Sequence, residues 1–261
     1  MAHKFTTAAF LIIGNEILDG STKDKNLAEL IAQLNPKGIL VREVRVVRDE
    51  EVAIIDALKQ FTDAYDFVFT SGGIGPTHDD ITTSTVAKFF GKELQLNQES
   101  LQTMQDRYKV EGRDLSYMND YVMKMAYLPQ DAVPIKNSIS AAPGFQIGKV
   151  YVLAGVPNIF QAMLESLLTE VPQGRVMHSS SMLVYVGESR IAEDLEKMEE
   201  EESATNNLEI GSYPRRLEGG PPHYSVKVVA RSDQPQLPNE VLGKLQKIFK
   251  QRGIDCKMDT P

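Results

Sequence analysis

The feature that most restricts the fold is an alternation of short apolar runs with stretches of helical spacing, repeated along the first two thirds of the chain. Ala8-Ala-Phe-Leu-Ile-Ile13 is a continuous apolar run stopped by Gly14, the pattern of a strand buried on both faces. Asn26 to Leu34 is apolar at Leu27, Leu30, Ile31 and Leu34, a helical spacing that Pro36 and Gly38 end. Ile39 to Val47 returns to alternating, β-branched residues. Asp49 to Phe61 is helical again, with Val52, Ile55 and Leu58 marking its face, and Asp66 to Thr70 is a short apolar strand that runs into Ser71-Gly72-Gly73-Ile74-Gly75. Strands alternating with helices of about a dozen residues predict an α/β fold with a mostly parallel sheet covered on both sides.

Further on, Asp80 to Phe90 and Glu99 to Glu111 read as helices, and Asp120 to Met125 as a short element before a turn at Leu128-Pro129. Lys149 to Ala154 is a strand ending in Gly155-Val156-Pro157, and Asn158 to Leu168 is a helix. At Pro172-Gln-Gly174 the texture changes. Strands over Ser181 to Val186, Leu208 to Tyr213 and Tyr224 to Ala230, an acidic helix over Glu188 to Glu202, a turn at Gly219-Gly220-Pro221-Pro222 and a helix over Leu237 to Lys250 suit a small C-terminal α+β domain with an antiparallel sheet. The expected domains are therefore 1–175 and 176–261.

Composition narrows the function. The 261 residues carry 28 Lys+Arg against 36 Asp+Glu, a net charge of −8, and neither part is basic. No nucleic-acid or anionic-membrane partner is expected from such a balance, so an anionic ligand has to be caught locally. The one cysteine, Cys256, excludes an internal disulfide and reads as incidental. No segment approaches the roughly 20 apolar residues of a membrane helix, and no leader pattern precedes Ala8. A cytoplasmic protein is the expectation.

Chemistry concentrates in Thr70-Ser71-Gly72-Gly73-Ile74-Gly75-Pro76-Thr77-His78-Asp79-Asp80-Ile81-Thr82, a glycine-rich loop between a strand and a helix. Successive glycines can turn N–H groups toward one point, and the helix end adds partial positive charge, which suits a phosphate or diphosphate. The loop is neither the dinucleotide fingerprint nor the P-loop, because Pro-Thr-His-Asp-Asp follows Gly75. Asp79 and Asp80 beside such a loop would repel the ligand unless a divalent cation lay between; equally, either carboxylate can cap the helix, Asp79 being the better placed. Ser71 suits hydrogen bonding to phosphate. His78 has no metal-ligand spacing with His3, His178 or His223, and Lys23 and Lys25 read as surface lysines near the first loop. Two more strand-end loops, Gly14-Asn15-Glu16 and Gly155-Val156-Pro157, fall on the same predicted edge, where open α/β sheets bind ligands. Arg48-Asp49 adds a fourth, with Asp49 also suited to cap the helix after it.

Gly14-Asn-Glu-Ile-Leu-Asp-Gly20, Lys25-Asn26, Val46-Val-Arg-Asp49, Ser71 to Thr82, Ala142-Pro143-Gly144-Phe145 and Leu153-Ala-Gly-Val-Pro157 occur in an order that resembles the molybdopterin-binding domain family. Within it, the likeness is to the amino-terminal region of CinA, the competence/damage-inducible protein, and to the domain attached to some eukaryotic FAD synthases. Gly187 to Leu195 and Ile210 to Pro214 resemble the small domain that follows in CinA. The resemblance stops at Pro261 without the deamidase domain of full-length CinA, so that activity is not expected. Ile74 and His78-Asp79 depart from the pattern of the molybdenum-cofactor enzymes and favour the CinA type.

The resemblance implies a three-layer αβα sandwich, a homo-oligomer, and a small nucleotide or pterin ligand over the glycine loop. It also implies metal-dependent hydrolysis of a nucleotide pyrophosphate such as ADP-ribose or FAD. The carboxylates carrying it would be Asp80, Asp49 and Glu16, with Asp80 and Asp79 holding Mg²⁺, Mn²⁺ or Co²⁺. Binding would fall to Gly14, Asn26, Ser71, Gly72, Gly73, Gly75, Pro143, Gly144, Gly155 and Pro157. Two other activities fit the same sandwich: a molybdopterin-binding or adenylylating protein of molybdenum cofactor biosynthesis, and a non-catalytic nucleotide-binding module.

Overall fold

A computed structural model describes residues 5–216 and 224–259. The chain divides into two compact units, Met1–Gly174 and Arg175–Pro261. In the first, β1 (Thr6–Ile13), α1 (Asn15–Leu18), α2 (Asn26–Leu34), β2 (Ile39–Val47), α3 (Glu51–Ala64), β3 (Phe67–Ser71) and α4 (Thr82–Phe89) follow the expected alternation. Then come β4 (Leu94–Leu96), α5 (Gln98–Val110), α6 (Asp120–Lys124), β5 (Tyr127–Pro129), β6 (Val133–Ile135), β7 (Gly144–Ile147), β8 (Val150–Leu153) and α7 (Pro157–Leu167).

The central sheet has the order β2-β1-β3-β8-β7-β6. Its first four strands are parallel, and β8, β7 and β6 pair antiparallel, which makes the sheet mixed at one edge. The continuous apolar run of β1 serves two cores through the two-residue period of a strand. Ala8, Phe10 and Ile12 face α2 and α7, packing with Leu30, Leu34, Phe160 and Leu164. Ala9, Leu11 and Ile13 face α3 and α4, packing with Ile54, Leu58, Phe61 and Val86. Helices on both faces of one sheet give the three-layer sandwich.

The second unit comprises β9 (His178–Val184), α8 (Ala192–Asn206), β10 (Glu209–Arg216), β11 (Tyr224–Ser232), α9 (Leu237–Gln251) and β12 (Cys256–Asp259). Its sheet, β10-β11-β9-β12, is antiparallel throughout. Met182, Val184, Val226 and Val228 on one face of it pack with Leu195 of α8 and with Val241, Leu245 and Phe249 of α9.

Several local expectations change. Leu58 is buried as expected, but Val52 is 71% exposed and Ile55 half-buried, and α3 completes its buried stripe with Ile54, Ala57 and Phe61. Leu128-Pro129 is a strand rather than a turn, because β5 pairs with β4. Strand β9 begins at His178, ahead of the predicted start. Cys256 is no incidental residue: it opens β12, pairs with Val184 and is buried in the second core. The predicted turn at Gly219-Gly220-Pro221-Pro222, and His3 and His223, lie outside the described residues.

Candidate functional site

The loops after β1, β3 and β8 meet because their strands are neighbours in one parallel sheet. Their approach is closer than side chains permit. A Cβ on Gly72 would lie 2.0 Å from the Ile13 carbonyl oxygen, and one on Gly155 would lie 3.2 Å from the Gly72 Cα. Gly72 and Gly73 both take positive φ, 103° and 68°, a region that only glycine enters without strain. Backbone bonds fasten the three loops: Gly14 N–H donates to the Val47 carbonyl at 3.1 Å, Gly72 N–H to Leu153 at 3.1 Å and Thr82 N–H to Gly73 at 2.9 Å.

These turns leave donors over. Among the described residues, the N–H groups of Gly73, Ile74 and Gly75 make no hydrogen bond, and all three residues line an open cleft of about 670 Å³. Helix α4 starts just beyond them with no side-chain cap, so its positive end adds to the same region. A run of unpaired donors at a helix start is a site for an anion.

Of the residues singled out in the sequence, Gly14, Glu16, Asp49, Gly72, Gly73, Gly75, Asp79, Asp80, Pro143, Gly155 and Pro157 line this cleft. Ser71, Asn26 and Gly144 are not among its lining residues. Ser71 ends β3 and is buried at 2% exposure. Asn26 is buried beside the third loop, where its Nδ2 donates to the Gly155 carbonyl at 2.8 Å and its Oδ1 has no partner among the described residues. Gly144 is needed for packing, since a Cβ there would meet the Val152 carbonyl oxygen at 2.4 Å.

The carboxylates do not form the metal centre that their adjacency in sequence suggested. Among the described residues there is no group of three or more His, Cys, Asp and Glu side chains able to hold a metal ion. The physical reason is that two of the acids are already engaged with the backbone. Asp49 Oδ2 accepts the Asn15 N–H at 2.9 Å, and Asp80 Oδ2 accepts the Thr77 N–H at 2.9 Å together with the Thr77 hydroxyl. Asp79 stays exposed on the turn; the Thr77 hydroxyl, its own N–H and the charges of His78 and Lys124 hold its carboxyl below the usual range. The expected divalent cation, chelated by Asp79 and Asp80, is therefore not borne out. Neither predicted helix cap forms: α3 is preceded by Glu50 and α4 by Ile81, neither with a capping side chain. Asp49 instead ties the first loop to the end of β2, helped by Arg48, which donates to Asn15 Oδ1 at 3.2 Å.

Two groups escaped the sequence reading. Lys124, on α6, donates from Nζ to the carbonyls of Thr77 and Asp80, each at 2.8 Å, and so clamps the turn that follows the glycines. The far wall of the cleft is made by Met104, Tyr108 and Arg113 around α5 and by Val122 and Met125 at α6. The four-residue spacing of Met104 and Tyr108 and the three-residue spacing of Val122 and Met125 put each pair on one helix face, a signal that the polar composition of α5 obscured.

An open, mostly parallel sheet with a glycine loop of unpaired N–H donors at its carboxyl edge defines an α/β sandwich with a candidate anion site. Residues 9–173 match a family model described as "Probable molybdopterin binding domain". The chain belongs to the molybdopterin-binding domain family. Residues 176–256 match a second model, "FAD synthase, middle domain". Among curated relatives, a protein of Pyrococcus abyssi is 32% identical over 260 residues, 96% of this chain and 98% of its own length. A CinA-like protein of Syntrophotalea carbinolica is 35% identical over 161 residues, 60% of this chain and 38% of its own length. The crystal structure of CinA from Thermoplasma acidophilum, described there as of unknown function, superposes with a TM-score of 0.57 at 34% identity, covering 64% of this chain and 98% of that one. Among the described residues no helix is long and apolar enough to cross a membrane.

Proposed function

We propose that the first unit binds a phosphorylated pterin or nucleotide, with its phosphate on the N–H groups of Gly73, Ile74 and Gly75, and serves molybdopterin-type cofactor chemistry. The observation that carries this reading is those three unpaired donors lining a cleft large enough for a ligand of nucleotide size. Recognition through backbone donors accounts for phosphate binding by an acidic chain without surplus lysines. The test is equilibrium dialysis of the purified protein against AMP, ADP-ribose and pyrophosphate in chelator-treated buffer. Binding is expected in the wild type and lost in Gly73→Ala, whose Cβ would lie 2.1 Å from Thr82 Oγ1. Equal binding by the variant would remove the loop from the reading.

One further observation favours a second reading, hydrolysis of a dinucleotide pyrophosphate. Glu16 lines the cleft, and its carboxylate makes no hydrogen bond or ion pair among the described residues. It is thus free to take a proton from a water attacking phosphorus, whereas Asp49 and Asp80 are occupied in holding the loops. AMP released from ADP-ribose or FAD, lost in Glu16→Gln, is the readout; no release from the wild type leaves binding as the function.

A further inference from the structure

The cleft has more room and a different character than a phosphate needs. At its far end the lining turns apolar, with Met104, Val122, Met125 and Pro143. Such a wall gives nothing to a phosphate and suits the face of a flat, weakly hydrated ring. Tyr108 lines the cleft beside them, and the Arg113 guanidinium lies over the Tyr108 ring at 5.4 Å from its centroid. Arg113 is the sole Lys or Arg among the lining residues, against the four carboxylates of Glu16, Asp49, Asp79 and Asp80. Its Nε is engaged by Glu111 at 3.2 Å, which fixes the guanidinium over the tyrosine.

Resting on the reading that phosphate occupies the glycine loop, we propose that Tyr108 and Arg113 are the specificity-determining pair of this cleft: they seat a planar nitrogen heterocycle, purine or pterin, joined to that phosphate. The Tyr108 face that Arg113 leaves uncovered stacks on the ring, and the Arg113 guanidinium, over the opposite face, backs the tyrosine and holds it in place. The pairing follows from chemistry. An aromatic face stacks on any flat base, and a guanidinium over its other face fixes it by a cation–π contact. The wall is fixed in place for this purpose. Arg107, next to Tyr108 on α5, donates to the carbonyls of Ser138 and Ile139 at 3.4 and 3.1 Å, holding the strand-connecting segment that leads to Pro143. Lys124 ties α6 to the turn after the glycines through its two 2.8 Å bonds. The ring seat and the phosphate seat are thereby parts of one braced assembly.

The experiment compares phosphate ligands with and without a ring, on the full chain. Affinities for AMP, ribose 5-phosphate and neopterin 3′-monophosphate are measured by titration calorimetry for the wild type, Tyr108→Ala, Tyr108→Phe and Arg113→Met, with thermal unfolding run on each variant to confirm the native fold. Tyr108→Ala is expected to weaken whichever ring-bearing ligand the wild type binds by about tenfold, the scale of one base stacked on an aromatic side chain. Ribose 5-phosphate affinity should stay unchanged, and Tyr108→Phe, which keeps the ring, should restore binding. Arg113→Met, which removes the group that holds the tyrosine, should lose part of that factor on the same ligand. AMP against neopterin 3′-monophosphate separates a purine seat from a pterin seat. Unchanged binding of both in Tyr108→Ala and Arg113→Met, with ribose 5-phosphate still bound, would overturn the ring seat and leave the phosphate loop standing. A wild type that binds none of the three ligands would overturn both.

Discussion

Replacing Gly72 by alanine tests the geometry on which the whole cleft rests. At φ 103° an alanine is in a region that L residues avoid, and such strain costs about 1–3 kcal/mol. Its Cβ would also lie 2.0 Å from the Ile13 carbonyl oxygen. That atom is backbone in an inner strand of the sheet and cannot swing aside, so a shift comparable to core overpacking, about 1–3 kcal/mol, is added. Together these predict a loss of about 4 kcal/mol, or roughly 8–16 °C in the unfolding temperature of a unit of this size. Gly20→Ala is the control: Gly20 has φ 75°, and a methyl group there would meet nothing within 4 Å, so only conformational strain of about 1 kcal/mol, roughly 2–4 °C, is expected. Differential scanning calorimetry on both variants measures the difference directly, and phosphate binding should fall in Gly72→Ala but persist in Gly20→Ala. If the two variants unfolded within about 3 °C of each other, the close crossing of the β1 and β3 loops would not be what demands glycine.

Three other outcomes follow from the structure. Lys124→Met removes two bonds from a charged donor to the Thr77 and Asp80 carbonyls; amide exchange in the turn at 77–82 should speed up by about tenfold while the β1 core amides are unaffected, as judged by hydrogen-exchange mass spectrometry. Burial pushes the Cys256 thiol above its ordinary range, so modification by iodoacetamide at pH 7.5 should be slow in the native protein and fast in urea, and rapid native labelling would contradict the placement of β12. Glu43 is held below its ordinary value of 4.5 by Arg45 first and the Tyr65 hydroxyl second. Its folded pKa lies below its unfolded one, so its contribution is complete above that ordinary value and is lost as pH falls through the folded value. Thermal unfolding between pH 6 and pH 3 should accordingly decline less steeply in Glu43→Gln than in the wild type, by a small margin because the pair is partly exposed.

Local pattern was enough to read much of the scaffold. The run Ala8 to Ile13, the helical spacing of Asn26 to Leu34 and the strand leading into Gly72-Gly73 all appear where expected, because a strand or helix buried against a sheet writes its period directly into its own residues. The order of these elements also put Gly14, Gly72 and Gly155 on one edge. Acidic pairs were less legible. Asp79 and Asp80, adjacent in sequence, looked like chelating partners or caps, yet Asp80 turns back three residues to Thr77. Which atom satisfies a carboxylate depends on loop conformation, and the sequence does not display that.

By itself, then, the sequence determined the alternating α/β scaffold, the glycine loop at the sheet's carboxyl edge and the change to a second kind of unit near residue 175. Tertiary structure alone decided the rest. It turned the far edge of the sheet antiparallel at β7 and β6, and it recruited Cys256–Asp259 as a strand against residues far earlier in the chain. It also brought Lys124 to the Thr77 turn, set Tyr108 and Arg113 across from the glycines, and kept the carboxylates from converging on a metal. The division has one physical cause. Periodicity and turn chemistry act between residues a few positions apart, whereas a site is assembled from residues that meet only when separate elements pack.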